Sequence, residues 1–302
     1  MIVLSEASAP LPPSRSALDV SAATEAAKLV GCRVYYLQPS FDPSLSVAAN
    51  AARALAAVPM QPVESPAVWV GFIPSIEWYS AMYAEAERKR IRLLNTPDEH
   101  RTAMELDRAY SRIWDLTPES VALTDPRQAE DAVERLGGLP LFVKGAVKSR
   151  KELGYSACVA TSIPELRRLV NDVLTVDVRS RGKAIVRKLV PIRHVHVSPT
   201  GFPVGREFRV FRYREALLDH GYYWEADEPQ STLTGPEERA VLALASEAAL
   251  RLAVPFVAID IAQLVDYSWT VVEASDAQFA APCQIPLLRL WNRIRAIAPG
   301  RA

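Results

Sequence analysis

Two short apolar segments near the end of the chain each end in a carboxylate. Asp260 closes the run VAID and Glu273 closes the run WTVVE. Both runs are rich in β-branched residues, and the turn-forming stretch 266–268 joins them, so the pattern predicts a β-hairpin. A carboxylate at the end of a buried strand is unfavourable unless a cation compensates it, and a divalent metal ion is the simplest such cation. Solvated strand-end charges are the alternative, and these two residues alone leave both readings open.

A lysine-rich loop follows another apolar strand. Lys144 ends the run LPLFVKG, and the following loop, GAVKSRKELG, carries Lys148 and Lys151 between its glycines. Backbone amides beside glycines, with lysines close by, suit the binding of phosphate groups. The loop lacks the GxxxxGK[ST] pattern of a Walker A loop, and on its own a basic surface hairpin is the commoner explanation.

A third chemical feature is the charged strand GREFRVFR. Side chains alternate between the two faces of a strand. One face is predicted to carry Phe208, Val210 and Arg212, and the other Glu207, Arg209 and Phe211. Arg209 therefore lies between Glu207 and Phe211, where an arginine is either solvated or directed into a site. The sequence leaves both open.

The composition is that of an ordinary globular protein. The chain has 302 residues, of which 49% are hydrophobic and 23% charged, and this excludes the fibrous and disordered classes. Its formal net charge of zero gives no sign of a nucleic-acid or membrane partner. Three scattered cysteines without a CxxC motif, and an N-terminus without a signal-peptide pattern, predict a cytoplasmic protein. The sequence has neither a Rossmann glycine fingerprint nor a GxSxG nucleophile elbow. A dehydrogenase or a serine hydrolase is therefore less well supported.

The strand and helix patterns divide the chain into three parts. Residues 1–95 alternate apolar runs such as RVYYLQ and AVWVGF with helical stretches at 21–30 and 46–58, which predicts a parallel sheet between helices. A capping box at Thr96 opens the second part, residues 96–187, whose strands LPLFVKG, YSACVA and AIVRKLVP predict a small α+β lid. Residues 188–302 are rich in strands and form the third part. The predicted fold class is α/β with an α+β lid.

The order of these features resembles the ATP-grasp superfamily. FVKG resembles the lid strand whose lysine reaches the nucleotide phosphates, and AIVRKLVP resembles the hinge that binds adenine. REFRVF resembles the strand with a phosphate-contacting arginine, and VAIDIAQL with WTVVEASD resembles the metal-binding pair. The segments VKGAVKSRK, VRKLVP and GREFRVF are similar to the clade named for two arginines and a lysine. The resemblance implies an N-terminal parallel α/β domain followed by a two-part ATP-binding region with an antiparallel sheet.

The resemblance also implies the site residues. Catalysis is assigned to Lys144 and Arg209. Nucleotide binding is assigned to Lys144, Lys148, Arg187, Lys188, Leu189, Val190 and Arg209. Magnesium binding is assigned to Asp260, Glu273 and Asp276. In the common metal motif an asparagine stands two residues after the glutamate, whereas this chain has Ser275 there, and Asp276 is therefore expected to supply the missing carboxylate.

The function implied by the resemblance is an ATP-dependent carboxylate–amine ligase. It would form an amide or peptide bond through an acyl phosphate, with ATP and Mg²⁺, on an amino acid, a peptide or a similar small substrate. A nucleotide-binding regulatory module without ligation, or an ATP-dependent phosphotransferase, is the alternative. No nucleic-acid or membrane partner is expected, and a homodimer is left open.

Overall fold

The N-terminal part of the molecule is a parallel sheet between helices. The computed structural model describes residues 1–7, 14–38, 41–224 and 228–297. The strands are β1 (Ile2–Ser5), β2 (Arg33–Tyr36), β3 (Ser65–Val70) and β4 (Ile91–Leu93), in the order β2-β1-β3-β4. The helices are α1 (Arg15–Leu29), α2 (Val47–Ala54) and α3 (Ile76–Arg88). The helix α1 begins before the predicted residue 21, because the Ser14 hydroxyl accepts a hydrogen bond from the amide of Ala17 and caps it.

Two short helices lead from this sheet to the rest of the chain. They are α4 (Pro97–Met104) and α5 (Leu106–Ile113). The predicted capping box at the start of α4 is confirmed: the Thr96 hydroxyl accepts from the Glu99 amide, and the Glu99 carboxylate accepts from the Thr96 amide. The predicted boundary at residue 95 falls just before this cap.

An antiparallel sheet with helices on one side forms the lid. Its strands are β5 (Ser120–Leu123), β6 (Leu141–Gly145), β7 (Val159–Ala160) and β8 (Ala184–Lys188), in the order β5-β8-β6-β7, and its helices are α6 (Ala129–Arg135), α7 (Ile163–Leu174) and α8 (Asp177–Ser180). The predicted strand YSACVA is wrong at its start, because Tyr155–Ala157 form a 3-10 turn after Gly154. The predicted boundary after residue 187 falls inside β8.

A second antiparallel sheet, the central sheet, follows the lid. Its strands are β11 (Glu207–Tyr213), β12 (Ala216–Tyr222), β13 (Phe256–Gln263) and β14 (Trp269–Asp276), in the order β12-β11-β13-β14, and the hairpin β9 (His194–Val197) with β10 (Pro203–Gly205) precedes it. The helix α9 (Gly235–Leu252) packs on one face of this sheet. The last helix, α10 (Leu287–Ile297), packs against α1 and shares a hydrophobic core with the N-terminal sheet. The predicted α/β class, with parallel and antiparallel sheets, is confirmed.

The predicted alternation of side chains along β11 is also confirmed. Phe208 and Val210 belong to the core beneath α9, whereas Phe211 belongs to the core shared with α1 and α10. Glu207 and Arg209 therefore lie on the face of the central sheet opposite α9. In the described ranges, no helix is long and apolar enough to cross a lipid bilayer.

Candidate active site

Three charged side chains form a row across the central sheet. The register pairs Arg209 on β11 with Asp260 on β13, and Asp260 with Glu273 on β14. Residues directly opposite one another in antiparallel strands have their side chains on the same face. The sheet therefore presents a guanidinium and two carboxylates side by side, and Lys144 at the end of β6 reaches this row from the lid.

Arg209 and Asp260 form a buried bidentate ion pair. The Nε and Nη2 atoms of Arg209 each donate to one carboxylate oxygen of Asp260 at 2.7 Å, and the two side chains are 6% and 2% exposed. The remaining Nη1 donates to the carbonyl of Ala281 at 2.8 Å. Burial raises the pKa of Asp260 although Arg209 opposes that shift, so a further cation near this carboxylate would favour its charged form.

Lys144 and Glu273 form the second ion pair of the row. Lys144 Nζ lies 2.7 Å from Glu273 Oε1, with the lysine 4% and the glutamate 29% exposed. Burial alone would raise the pKa of Glu273, but the cations around it, Lys144 first and then Lys151 and Arg209, together outweigh burial and lower it. Burial lowers the pKa of Lys144, and Glu273 opposes that shift. Glu273 is therefore held in its charged form.

Glu207 is a further buried carboxylate at this face. Its side chain is 4% exposed, and the nearest cation is Lys151 Nζ at 4.0 Å. Burial, together with the carboxylates of Asp260 and Glu273, raises the pKa of Glu207. The bare backbone of Gly205 makes room for it, because a Cβ there would lie 2.9 Å from Glu207 Oε1. Sequence reasoning placed Glu207 on the same face as Arg209 but did not include it among the site residues.

Asp276 lies apart from the other two predicted metal ligands. It is fully buried, and its Oδ1 accepts from the Asn95 side chain at 2.8 Å and from the Gln278 amide at 3.0 Å. Its Oδ2 is 2.9 Å from His100 Nδ1. The alternation of side chains in β14 turns Asp276 away from the face of Glu273, so the structure does not bring it together with the other two predicted metal ligands. Ser275 lines a cavity together with Glu273.

Two adjoining cavities meet at this row of charges. The first cavity, of about 310 Å³, lies between the lid and the central sheet and is lined by Phe142, Lys144, Glu207, residues 187–192, Asp260 and Glu273. The second cavity, of about 630 Å³, lies between the N-terminal sheet, the lid loop and the central sheet, and its lining includes Lys148, Arg179, Arg209 and Ser275. Ser149, Lys151, Tyr223 and Glu273 line both. The row of charges therefore stands where one cavity opens towards the other.

The predicted nucleotide-binding residues divide between these cavities. The first cavity is lined by Lys144, Arg187, Lys188, Leu189 and Val190. The second is lined by Lys148 and Arg209. The structure therefore brings the predicted hinge and the lid-strand lysine together but places the side chain of Lys148 on the other side of the junction.

Arg187 is a buried cation that joins the lid to the central sheet. Its Nη1 donates to the carbonyl of Val272 at 2.8 Å, its Nη2 to the Thr117 hydroxyl at 2.6 Å and its Nε to the Ser120 hydroxyl at 3.1 Å. Burial lowers the pKa of Arg187 to about 10, although Glu273 opposes the shift. All three of these hydrogen-bond partners are neutral groups. The positive charge of Arg187 is therefore not neutralised by them and contributes to the electrostatic field along the wall of the first cavity.

The carboxylates fit a magnesium ion that is shared with a phosphate ligand. Among the described residues, no group of three or more His, Cys, Asp and Glu side chains has the spacing of a metal site. Mg²⁺ in nucleotide sites is usually bound by one or two carboxylates together with the phosphates and water. Asp260 and Glu273, opposite one another on β13 and β14, match that smaller donor set.

A parallel N-terminal sheet, an antiparallel lid and a central sheet that carries paired carboxylates beside the lid lysine together define the ATP-grasp class. The model of an ATP-grasp domain family, the third family of the clade named for two arginines and a lysine, matches residues 135–294, which is more than half of the chain. The chain therefore belongs to this family, and the predicted superfamily, clade and enzyme class are confirmed.

Solved structures share the fold at low sequence identity. The RimK domain protein ATP-grasp from Sphaerobacter thermophilus aligns over 99% of both chains, with 12% identity and a TM-score of 0.63. The D-alanine–D-alanine ligase from Bacillus anthracis, complexed with ATP, aligns over 98% of this chain and 95% of its own, with 12% identity and a TM-score of 0.65. The L-amino acid ligase from Bacillus licheniformis aligns over 99% of this chain and 74% of its own, with 11% identity and a TM-score of 0.60. A search of curated protein sequences gives no match.

Proposed function

We propose that this protein is an ATP-dependent ligase that joins a carboxylic acid to an amine, with release of ADP and phosphate. The observation that carries the proposal is the row of Arg209, Asp260 and Glu273, with Lys144 of the lid bound to it, at the junction of two cavities. Two cavities that meet at paired carboxylates and cations suit a reaction between a nucleotide and a second substrate. Membership of the ATP-grasp family supports the same class of reaction.

The first cavity suits the nucleotide. The apolar side chains of Phe142, Leu189 and Phe202 provide a surface for a planar base. Residues 187–192, the predicted hinge, line the same cavity. The buried carboxylate of Glu207 can accept hydrogen bonds from the hydroxyl groups of a ribose. The phosphates would then extend towards Lys144 and Glu273, where the cavity meets its neighbour.

Lys144 and Arg209 would stabilise the charge that develops on the transferred phosphoryl group. Lys144 comes from the lid side and Arg209 from the second cavity, so the two cations approach the junction from different directions. Asp260 holds Arg209 in one orientation through two hydrogen bonds, which removes the need for reorganisation during the reaction. Asp260 and Glu273 would hold Mg²⁺, which neutralises phosphate charge when it is bound.

The proposed chemistry proceeds in two balanced steps. A carboxylate oxygen of the acid attacks the γ-phosphorus, the bond from this phosphorus to the β–γ bridging oxygen breaks, and ADP leaves. The amine nitrogen then attacks the acyl carbon, the phosphate leaves with the electron pair of the broken C–O bond, and the nitrogen loses a proton. Ser149 and Lys151, on the loop that borders both cavities, would cover the acyl phosphate and exclude water.

The test is ADP release with Mg-ATP across a panel of amino acids and small peptides, followed by the mass of the product. The expected product has the mass of acid plus amine minus water. Glu273→Gln should abolish ADP release while the fold persists, whereas Glu64→Gln, an exposed carboxylate that lines neither cavity, should leave it unchanged.

Three outcomes of these assays would contradict the proposal that the protein is a ligase. A phosphorylated product would indicate a phosphotransferase. Binding of Mg-ATP without ADP release would indicate a regulatory module, a reading that Ser275 beside Glu273 favours, because a hydroxyl is a weaker metal ligand than an amide or carboxylate oxygen. A folded chain that neither binds Mg-ATP nor releases ADP would exclude both the ligase and the module.

A further inference from the structure

The guanidinium group of Arg209 is held by hydrogen bonds that lie in its own plane. Its Nε and Nη2 atoms donate to the two carboxylate oxygens of Asp260 at 2.7 Å, and its Nη1 atom donates to the carbonyl of Ala281 at 2.8 Å. An arginine side chain carries five N–H groups. In the described part of the chain these are its hydrogen bonds, so one N–H on Nη1 and one on Nη2 remain for a ligand.

The ring of Tyr223 covers a face of this guanidinium group. The Cζ atom of Arg209 lies over the ring, 4.7 Å from the ring centroid. Burial raises the pKa of Tyr223, although Arg209 opposes that shift, so the phenol stays neutral at pH 7. Guanidinium groups are weakly hydrated and stack favourably on neutral aromatic faces. The ring therefore restrains Arg209 out of the plane in which Asp260 and Ala281 hold it.

The position of the Tyr223 ring is itself fixed by its surroundings. Tyr223 follows β12, and its amide donates to the carbonyl of Glu207 at 2.9 Å, which extends the backbone pairing of β11 and β12 to this residue. The ring of Trp224 packs edge-on against it, with centroids 5.0 Å apart and an interplanar angle of 69°. The ring that restrains Arg209 is therefore preorganised by the backbone and by a second aromatic side chain.

Tyr223 also lies at the junction of the two cavities. It lines both of them, whereas Arg209 lines the second. A smaller side chain at this position would open space beside the guanidinium group to water. Water weakens the interaction between the guanidinium and an anionic ligand, because it raises the local dielectric constant.

We infer that Tyr223 is a positioning residue for Arg209, and that its ring face holds the guanidinium so that the two remaining N–H groups meet the transferred phosphoryl group. The inference rests on the proposed function, since it takes that phosphoryl group to lie at the junction. The ring carries this role and the hydroxyl does not, because the contact with Arg209 is made by the ring. Tyr223 acts through Arg209 and does not itself bind the phosphoryl group.

The test compares the binding of Mg-ADP with that of magnesium β,γ-imido-ATP, a non-hydrolysable analogue that carries a γ-phosphate, by calorimetry. The wild-type chain should bind the imido analogue more tightly. Tyr223→Leu should reduce this preference by about threefold to tenfold, the effect of one partly buried cation–π contact, and should leave the affinity for Mg-ADP unchanged. Tyr223→Phe keeps the ring and should retain the preference. Tyr267→Leu should change nothing, because Tyr267 also has an arginine over its ring but lines neither cavity.

A variant of Arg209 shows whether Tyr223 acts through this arginine. In an Arg209→Gln background, where the amide can still donate to Asp260, Tyr223→Leu should have no further effect, because no guanidinium is left to orient. A preference unchanged by Tyr223→Leu, an equal loss in Tyr223→Phe, or an equal loss with and without Arg209 would overturn the inference. Equal affinity of the wild-type chain for both nucleotides would also overturn it.

Urea denaturation without nucleotide separates the inference from the proposed function. The stability losses of Tyr223→Leu and Arg209→Gln should be less than additive in the double variant, because both substitutions remove the same contact. Additive losses overturn the inference, whatever the nucleotides do. Coupled losses in a chain that binds neither nucleotide support the role of Tyr223 towards Arg209 and contradict the ligase.

Discussion

Lys144 Nζ, at the end of β6, lies 2.7 Å from Glu273 Oε1 on β14, and this ion pair joins the lid to the central sheet. The lysine is almost fully buried, and burial lowers its pKa, so its charge depends on the glutamate. In the proposed mechanism both groups serve the nucleotide, Lys144 through the phosphates and Glu273 through Mg²⁺. Binding of Mg-ATP would therefore exchange an internal ion pair for two contacts with the ligand.

Lys144→Met is expected to destabilise the protein and to make its stability respond to magnesium. Breaking a buried pair leaves an uncompensated charge, and because Glu273 is partly exposed we expect a loss of about 3 kcal/mol, the lower end of the usual range. Mg²⁺ should recover more stability in the variant than in the wild type, because Glu273 has then lost its hydrogen-bonded ion-pair partner. Urea denaturation with and without Mg²⁺ measures both effects. Lys28→Met, at an exposed pair on α1, is the control, and a variant indifferent to Mg²⁺ would argue against Glu273 as a ligand.

Asp260→Asn tests the bidentate pair with Arg209. Removing the carboxylate charge leaves a buried guanidinium without compensation, which should cost about 3–5 kcal/mol. The double variant Arg209→Met with Asp260→Leu should recover most of this stability and still lack ADP release, because apolar side chains pack in place of the pair but cannot replace its chemistry. Denaturation of the single variants Arg209→Met and Asp260→Leu and of the double variant gives the coupling energy. Additive losses would show that the two side chains act independently.

Substitutions of Asp276 and Ser275 are expected to affect different properties, the first the stability of the fold and the second the affinity for Mg²⁺. Asp276→Asn should lower stability by about 1–3 kcal/mol, because an amide NH₂ group in place of Oδ2 can no longer accept from Gln278 Nε2 or pair with a protonated His100 Nδ1, and should leave the magnesium dependence of nucleotide binding unchanged. Ser275→Asn should increase the apparent affinity for Mg²⁺, because its amide oxygen would lie on the face of Glu273. Magnesium titrations of nucleotide binding measure both variants. If the single variant Asp276→Asn bound Mg²⁺ more weakly than the wild type, Asp276 would have to be a metal ligand after all.

The contrast between Asp276 and Ser275 shows what strand patterns can and cannot predict. The sequence predicts that Asp260, Glu273 and Arg209 each lie on an apolar strand, and the antiparallel register brings the three side chains together. The same alternation places Ser275 on the face of Glu273 and residue 276 on the opposite face, which the strand pattern alone indicates. Its partners His100 and Asn95 could not be predicted, because they come from a distant part of the chain.

Loop residues were harder to place than strand residues. Lys148 and Lys151 are three residues apart in the same basic loop, but the turn closed by Gly145 directs Lys148 into the second cavity alone. The strand predicted at YSACVA is wrong at its start for a similar reason, because the backbone after Gly154 forms a 3-10 turn, and only Val159–Ala160 of this run form a strand. Local propensity is a weak guide where tertiary hydrogen bonds fix the backbone.

The ion pair between Arg206 and Glu237 should make stability depend on pH. Arg206 Nη1 lies 2.5 Å from Glu237 Oε1, and the hydrogen bond from Arg206 lowers the pKa of Glu237 to about 2. A carboxyl group whose pKa is depressed in the folded state stabilises the protein above its unfolded pKa, and this contribution is lost as the pH falls towards the folded value. The stability difference between wild type and Glu237→Gln should therefore be full at pH 7 and shrink between about pH 4.5 and pH 2.

Urea denaturation of both proteins across this range measures the difference. Glu247→Gln, at an exposed pair on the same helix, provides the control for loss of a surface charge. A difference that stays constant with pH would mean that Glu237 does not titrate as its contact with Arg206 requires.

A crystal structure of the full chain with Mg²⁺ and a non-hydrolysable ATP analogue tests the central claim most directly. The account predicts the base in the first cavity beside residues 187–192, and a magnesium ion bound by Asp260 and Glu273. It also predicts the γ-phosphate at the junction, within contact distance of Lys144 and facing the second cavity. A nucleotide bound elsewhere, or phosphates directed away from Asp260 and Glu273, would contradict the account.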